Sequence, residues 1–189
     1  MWTYNGKVIK EGRAWTDDDG TQHPANWNIW SADEKISKGL VWVDKQPQPD
    51  GRFYWFSQNA DGTYTTTPRE LEDRNEVDQN GDPIIDPSTG KQMVTLGLKS
   101  QAVAQTKQTQ GSLLSQTDWA YIRKQDTGIV VPEDIQTYRD SVRTQSMAIE
   151  DQIRMCSTLD AFKALYDTPV DAAGDATGNP PINDWPETV

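Results

Sequence analysis

The stretch from Glu133 to Met155 constrains the fold more than any other part of the chain. Its apolar residues follow one another at steps of 3, 4, 7 and 4 positions: Ile135, Tyr138, Val142, Ile149 and Ile153. This spacing predicts an amphipathic helix with one polar position in its apolar stripe. Pro132 suits the first helical position, and Glu133 and Asp134 suit the first turn. Such a stripe must be buried against another element.

Two further helices are predicted around this one. The segment from Ala102 to Gln116 lacks proline and carries a weak apolar stripe, although Gly111 lowers its helix propensity. It could pack antiparallel to the long helix through a connection over residues 117–132. There, Asp118 could cap a helix or bond across the turn, and Trp119 could fill the end of the helix pair. A short third helix is predicted after Ser157 as its cap.

The first third of the chain has the pattern of short strands. Asn5-Gly6 is a tight-turn dipeptide between two short apolar stretches. The aromatic run 53–56 and the segment 64–67 flank a glycine-containing turn and predict a hairpin. Ser31 with Glu34 forms a capping-box pattern, and Gly39 is placed to end the short helix that it begins. Residues 40–43 then read as a strand.

The predicted fold class is α+β. A small antiparallel β domain with one short helix covers residues 1–68, and a turn-rich hairpin or flexible connector covers 69–97. A helical module with an antiparallel helical hairpin follows at 98–166, and an extended tail at 167–189. The tail is rich in proline and glycine and should be mostly disordered by itself. Trp185 is the exception, because a tryptophan in a polar tail is expected to dock.

Composition excludes several function classes. The formal net charge is −11, carried as −6 by residues 1–97 and −4 by residues 161–189. This sign argues against nucleic acid and anionic membrane surfaces as partners. Hydrophobic residues are only 34% of the chain, yet there are eight tryptophans. Four of these either form an aromatic core of the first domain or provide a platform for a sugar or a partner: Trp27, Trp30, Trp42 and Trp55.

The chain lacks the residues that most catalytic and metal sites need. It has one histidine, His23, which reads as an ordinary turn residue, and one cysteine, Cys156, which reads as a buried residue near a helix end. These two cannot form a nucleophile system or a zinc site. No phosphate-binding glycine loop is present. We therefore expect no catalytic residues, no cofactor, no metal site and no enzymatic activity.

Two acidic segments were weighed as calcium loops. Asp78, Asn80 and Asp82 occupy positions 1, 3 and 5 of an EF-hand-like pattern, but Pro83 and Thr89 stand where glycine and glutamate are needed. The run 17–20 is better explained as a solvated turn. Residues 1–10 have no apolar run of signal-peptide length, and no segment reaches the length of a membrane span. We expect synthesis in a cytoplasm.

Two segments together resemble a known family. They are Leu113-Leu114-Ser115-Gln116-Thr117-Asp118-Trp119 and Ile135-Gln136-Thr137-Tyr138-Arg139-Asp140-Ser141-Val142-Arg143. They resemble the C-terminal module of bacteriophage tail assembly chaperones, also called tail fibre assembly proteins. The resemblance covers about residues 101–155, and the family's terminal short helix and Trp-Pro are echoed by 157–166 and Trp185-Pro186. The loop 128–132 departs from the family's more polar stretch.

The resemblance implies a non-enzymatic phage tail protein. Its partners would be other tail or fibre proteins, with a homo-oligomer as a further possibility. It would be found in the host cytoplasm during assembly and then in the virion tail, and both a transient chaperone and a permanent virion part remain open. The alternative is a carbohydrate-binding module for host attachment, based on the aromatics of residues 1–67. The candidate partner interface comprises six residues: Trp119, Tyr138, Val142, Ile149, Ile153 and Trp185.

Overall fold

The computed structural model describes residues 1–188, which form two compact units. The first is Met1–Pro68, and the second begins at Arg69. Short antiparallel strands dominate the first unit and helices dominate the second. The predicted α+β class is confirmed. The expected segments 69–97 and 98–166 fall within the second unit, as does the tail expected at 167–189 as far as residue 188. Residue 189 lies outside the described residues.

A three-stranded sheet begins the first unit. Its strands are β1 (Trp2–Tyr4), β2 (Lys7–Val8) and β5 (Leu40–Trp42), with β1 in the middle and both neighbours antiparallel to it. Asn5 and Gly6 connect β1 to β2 with φ values of 47° and 74°. Two successive positive φ values match the twist of the flanking strands, which explains the Asn-Gly dipeptide.

Two separate hairpins complete the strands of this unit. One pairs β3 (Trp15–Thr16) with β4 (Gln22–His23). The other pairs β6 (Tyr54–Gln58) with β7 (Tyr64–Pro68), as the aromatic run and its glycine turn predicted. In the second hairpin Trp55 lies opposite Thr67, and Ser57 lies opposite Thr65.

The short helix α1 (Ala32–Ser37) has the predicted cap. The Ser31 hydroxyl accepts a hydrogen bond from the Glu34 N–H at 3.2 Å, and the Glu34 carboxylate accepts one from the Ser31 N–H at 2.9 Å. Each side chain thus satisfies a backbone donor that the helix leaves unpaired. Gly39 follows the helix with φ of 78°, a conformation that glycine adopts without strain.

The core of the first unit is aromatic, but only partly as predicted. Trp15, Trp27 and Leu40 are buried together, and Trp30 is among the partly buried residues packed against them. The expectation that Trp42 and Trp55 could share this core is wrong, since they are 56% and 64% exposed. Trp42 points to the same side of its strand as the buried Leu40, but it is the last residue of that strand and packs edge-on against the partly buried Trp2. Trp55 occupies the exposed face of its hairpin.

Residues 69–97 form ordered hairpin structure. Strands β8 (Arg74–Asn75) and β9 (Val94–Thr95) pair antiparallel. Further out, the Met93 N–H donates to the Ile84 carbonyl at 2.8 Å, and Ile85 pairs with Gln92. The suggested pairing of 84–85 with the segment around 93 is therefore present, and the flexible-connector alternative is not needed.

Four helices follow in the second unit. They are α2 (Leu98–Ser115), α3 (Asp118–Thr127), α4 (Glu133–Met155) and α5 (Leu159–Ala164). Helix α4 has the predicted bounds. Helix α2 begins four residues before the prediction, because the Gly97, Leu98 and Lys99 N–H groups donate to Asp73, Glu70 and Leu71. Partners from the preceding hairpin satisfy the N–H groups at the start of this helix.

Two predicted caps are displaced by one residue. Pro132 is the residue before the first turn of α4, with ψ of 142°, rather than its first helical residue. The hydroxyl of Thr158, not of Ser157, accepts the N–H of Ala161 and caps α5. Proline is suitable both as the first helical residue and as the residue before it, and both serine and threonine are suitable caps. The local sequence therefore does not fix these helix starts to the exact residue.

Helices α2 and α4 pack antiparallel. Leu114 near the end of α2 contacts Arg139 near the start of α4, while Lys107 in the middle of α2 faces Glu150 further along α4. The tail then crosses this pair and includes a 3₁₀ turn at Pro181–Asn183. Within residues 1–188, no helix is both long enough and apolar enough to cross a bilayer.

Candidate interaction site

Arg139 on α4 joins the ends of two other helices. Its Nη1 lies 2.6 Å from the Leu114 carbonyl oxygen, 2.8 Å from the Thr117 hydroxyl and 2.7 Å from an Asp118 carboxylate oxygen. Leu114 lies in the last turn of α2, and Asp118 begins α3. We call Arg139 and these three partners, with Tyr121, the Arg139 cluster. It fixes the corner at which α2 turns into α3 above α4.

The chemistry of this corner favours a cation. The Leu114 carbonyl belongs to the last turn of α2, where helix carbonyls lack intrahelical partners and carry partial negative charge. The Arg139 guanidinium carbon also lies 4.8 Å from the centroid of the Tyr121 ring, a cation–π distance. Because Arg139 is buried, its hydrogen bonds are less screened than those at the surface. The predicted bonding of Asp118 across the turn is present.

Helix α3 presents an exposed apolar face beside this corner. Trp119 is 51% exposed and Ile122, one turn later, is 61% exposed. Residues three apart lie side by side on a helix surface, so these two form one apolar patch, which we call the α3 patch. Trp119 was expected to fill the end of the helix pair, and this is wrong. Ala120, which is buried, occupies the inward side of the helix instead.

Charged side chains of both signs lie on the same helix as the α3 patch. Arg123 and Lys124 follow Ile122, and Asp118 and Asp126 lie near the two ends of α3. Aromatic residues and arginine are the side chains that most often dominate protein interfaces. The patch therefore combines exposed apolar area with neighbouring charged groups, on a helix whose start is held by a buried arginine.

Four of the six predicted interface residues lie in the interior. Tyr138, Val142, Ile149 and Ile153 are all buried. The apolar stripe of α4 is covered by more than helix α2. Helix α4 also contacts the 3₁₀ turn of the tail, and Tyr138 lies beside Pro186 and Glu187 of the tail. The structure thus assigns these four side chains to packing within the chain.

Trp185, the sixth predicted residue, is partly buried and docks within its own chain. With Ile182 it borders a cavity of about 280 Å³ whose opposite wall includes Ala102 and Thr106 of α2. The expectation that Trp185 docks rather than extending into solvent is confirmed. The structure brings Tyr138 close to the tail end but does not bring Trp119 together with Trp185 in one cavity.

Sequence reasoning missed Arg139 and Ile122 as site residues. A signal for Arg139 was present, since it lies four positions after Ile135 on the apolar side of α4. A charged residue within an apolar stripe is rarely buried unless it is paired. Ile122 had no comparable signal, because its exposure depends on which side of α3 faces the helix pair.

His23 is buried, which corrects its reading as an ordinary exposed turn residue. Its ring stacks on Trp15 with centroids 4.1 Å apart, and its Nε2 lies 3.0 Å from an Asp17 carboxylate oxygen. Desolvation raises the pKa of Asp17, but the Thr21 N–H and His23 together lower it below the ordinary value of 3.8. The rings of Trp15 and Trp30 both contact the His23 ring, which therefore packs with the aromatic core of the first unit.

The acidic turns are explained by their own backbone. Asp78 accepts the N–H groups of Asn80 and Asp82, and these hydrogen bonds lower its pKa. Asp17 accepts the N–H groups of Asp19 and Thr21 in the same way. Among residues 1–188, no group of three or more histidine, cysteine or acidic side chains is arranged to hold a metal ion.

Cys156 is buried at the end of α4, as predicted. Burial raises the pKa of its thiol, although the charge of Lys99 opposes this shift. A buried thiol with a raised pKa is a poor nucleophile.

No protein-family model, no curated protein and no solved structure matches this chain.

Proposed function

We propose that this chain is a non-enzymatic bacteriophage tail protein. It acts in the assembly of the tail or tail fibres, or stays attached to them as a structural component. The observation that supports this most is the convergence of the motif residues. Leu114, Thr117 and Asp118 from the first segment of the resemblance meet Arg139 from the second within 2.8 Å.

The convergence matters because the two segments are separate in the sequence. Thr117 and Arg139 are 22 positions apart. Two distant segments have a physical reason to occur together when their residues contact each other in the fold. The Arg139 cluster gives that dependence, since the arginine needs the carbonyl, hydroxyl and carboxylate. It also positions the α3 patch, which is the part of this module able to contact a tail or fibre protein.

Deletion of the gene in the phage that encodes it, with mass spectrometry of purified virions, tests this proposal. Loss of tail or fibre assembly with the protein absent from wild-type virions supports the chaperone form. Stoichiometric presence in virions supports the structural form. Normal virions from the deletion mutant, together with absence of the protein from wild-type virions, would contradict both.

The α3 patch is tested in the same phage with matched variants. The double variant Trp119→Ala with Ile122→Ala removes the patch. The control is the double variant Met147→Ala with Met155→Ala, which removes two exposed apolar side chains from a different helix, α4. Loss of two anchor residues weakens an interface by about 30-fold or more. We expect assembly to fail only with the first pair. Equal yields of infectious particles from both variants would exclude the patch as the contact surface.

Carbohydrate binding by the first unit is a second candidate, favoured by one observation. Trp55 is 64% exposed, lies opposite Thr67 and shares its hairpin face with Ser57 and Thr65. An aromatic ring beside hydroxyl groups suits the apolar and polar faces of a sugar. A glycan array with the full-length protein tests this idea, with Trp55→Ala as the binding-site variant and Trp42→Ala as its control. Failure of the wild-type chain to bind any glycan would remove this candidate.

A further inference from the structure

The end of the tail is bound to the helices as a peptide would be. We call residues 180–188 the strap. Its apolar members Pro181, Ile182, Trp185 and Pro186 are partly buried, whereas Asn183 and Asp184 between them are exposed. The strap therefore turns one apolar side toward the helix pair, as peptides do in helical grooves.

Few polar bonds hold the strap in place. The Ile182 N–H donates to the Leu165 carbonyl at the end of α5 at 3.0 Å. The Gln145 side-chain amide donates to Asp184 over a longer distance of 3.4 Å. Beyond this, Glu187 lies beside Glu133 and Asp134 of the first turn of α4, where like charges repel one another. The contact depends mainly on Ile182 and Trp185.

The groove is not completely filled by the strap. A cavity of about 280 Å³ remains between Ile182 and Trp185 on one side and Ala102 and Thr106 on the other. This pocket is partly open to solvent, so the strap does not cover the whole wall of the groove. The side chains at this contact forgo part of the attraction that close packing would give, so the strap is held less firmly than a core element.

The segment that leads to the strap is independent of the rest of the protein. All side chains from Pro169 to Asn179 are exposed. Their hydrogen bonds join only members of this segment: Asp171 with Asp175, Gly174 with Asp171, and Thr177 with Pro169. Val170 also pairs with Ala176. We call residues 169–179 the connector. Because it makes its own hydrogen bonds, the strap can leave the groove without disrupting it.

We propose that the groove of α2 and α4 is a docking site for the strap of a second copy of this chain. The structure shows that this sequence fits this groove, and an identical segment from another copy makes the same contacts. Exchange of an identical element between protomers costs little when the connection permits it. The turn within the connector brings its two ends close together. Once that turn opens, eleven extended residues span about 35 Å, which is enough to reach a neighbouring molecule.

Exchange depends on concentration. A short flexible link gives the strap an effective concentration of about 1 mM at its own groove, so strap and groove of one molecule pair in dilute solution. Where many copies are held close together, the strap of one copy competes for the groove of the next. The result is a chain of copies linked tail to groove, or a closed pair. This inference does not depend on a phage role for the protein.

Disulfide trapping in the full-length protein tests the exchange. One variant carries Gln105→Cys in the groove wall, and the other carries Asn183→Cys in the strap; both positions border the same cavity. The two are mixed at about 1 mM, the effective concentration of a short link, and then oxidised. One partner is isotopically labelled so that mass spectrometry identifies mixed dimers. Native Cys156 is buried, and wild-type protein gives its background.

Three controls make the result decisive. The double variant Gln105→Cys with Asn183→Cys must close an internal disulfide in dilute solution. In a second mixture, Met155→Cys takes the place of Gln105→Cys and is combined with Asn183→Cys. Met155 is exposed and lies outside the cavity, so this pair measures disulfide formation by random collision. Adding Trp185→Ala to the strap variant removes the main apolar contact. Circular dichroism confirms that each variant keeps its helices.

We expect the mixed dimer from Gln105→Cys and Asn183→Cys to exceed that of the Met155→Cys pair by about tenfold, the gain that a specific site gives over random collision. Trp185→Ala should reduce it to the control level. A mixed dimer no more abundant than in the control pair, while the double variant closes internally, would show that the strap stays in its own groove. A double variant that does not close would refute the docking geometry itself.

Discussion

Arg139 and Asp118 are paired at 2.7 Å across 21 positions of sequence, with the arginine buried and the aspartate half-exposed. The pair ties the first residue of α3 to the second turn of α4. Because Arg139 also contacts Leu114 and Thr117, a single side chain fixes the end of one helix, the start of the next and the face of a third. Its removal should therefore affect more than one bond.

We expect Arg139→Met to destabilise the second unit by about 2–3 kcal/mol, the value of hydrogen bonds to a charged group together with partners left unpaired. Arg143→Met is the matched control on the same helix. Arg143 is more exposed and pairs only with Asp140 three positions earlier, so its loss should cost less than about 0.5 kcal/mol. Urea unfolding followed by circular dichroism at the helix band measures both. Equal losses would contradict a central role for Arg139.

The two kinds of tryptophan in the first unit should respond differently to truncation. Trp27 is fully buried, and its Nε1 donates to the Arg13 carbonyl at 3.1 Å. Trp27→Ala should cost about 3–5 kcal/mol, typical of removing a buried aromatic side chain. Trp42→Ala, at an exposed position, should cost less than about 1 kcal/mol. Thermal unfolding followed by near-ultraviolet circular dichroism distinguishes the two, and a larger effect at Trp42 would mean that the core is wrongly assigned.

Two glycines of the second unit should give effects of opposite sign. A Cβ atom on Gly97 would lie 2.4 Å from the backbone of Leu71 and Glu72, whereas one on Gly111 in α2 would meet nothing within 4 Å. Gly97→Ala must push two backbone segments apart and should cost about 1–3 kcal/mol. Gly111→Ala should stabilise α2 by about 0.5–1 kcal/mol, because alanine loses less backbone freedom in a helix.

Urea midpoints of the two alanine variants measure this difference. A stabilising Gly97→Ala would show that the hairpin at 71–72 does not approach α2 so closely. A destabilising Gly111→Ala would show that α2 is not a regular helix at that position.

Acid should destabilise the first unit through Asp17. Hydrogen bonds from Thr21 and His23 hold the pKa of this carboxyl below 3.8, its value in an unfolded chain. A lowered pKa stabilises the folded state above pH 3.8, and this contribution is lost as the pH falls through the lower folded value. The Asp17→Asn variant should lack this part of the acid dependence. Unfolding curves recorded between neutral pH and pH 2 test the difference; parallel curves for wild type and variant would refute it.

Features of this fold that depend on residues close in sequence could be predicted, and features that depend on distant residues could not. Ser31 with Glu34 and Asn5 with Gly6 act within a few residues, so their cap and turn could be read directly. The bounds of α4 follow from its regular apolar spacing. Helix α2, by contrast, starts at Leu98 because Asp73, Glu70 and Leu71 bind its first N–H groups. Such partners are set by tertiary structure.

The candidate site shows the same limit. Asp118 was expected either to cap a helix or to bond across the turn, and the structure shows the second, in its bond with Arg139. Trp119 next to it was assigned to the wrong environment, because one residue of rotation on α3 decides whether Ala120 or Trp119 faces inward. His23 was misjudged for a similar reason. The partners that bury it, Trp15 and Trp30, arrive from separate elements.

Some residues near the corner of α2 and α3 make the hydrogen bonds of the Arg139 cluster, and others take no part in them. A substitution at Leu114 changes little at the corner, because its backbone carbonyl, not its side chain, accepts from Arg139. Trp119 and Ile122 lie outside every bond of the cluster. Substitutions on the outer face of α3 therefore leave the corner intact. The same fold can change the partner that it binds through mutations at this face alone.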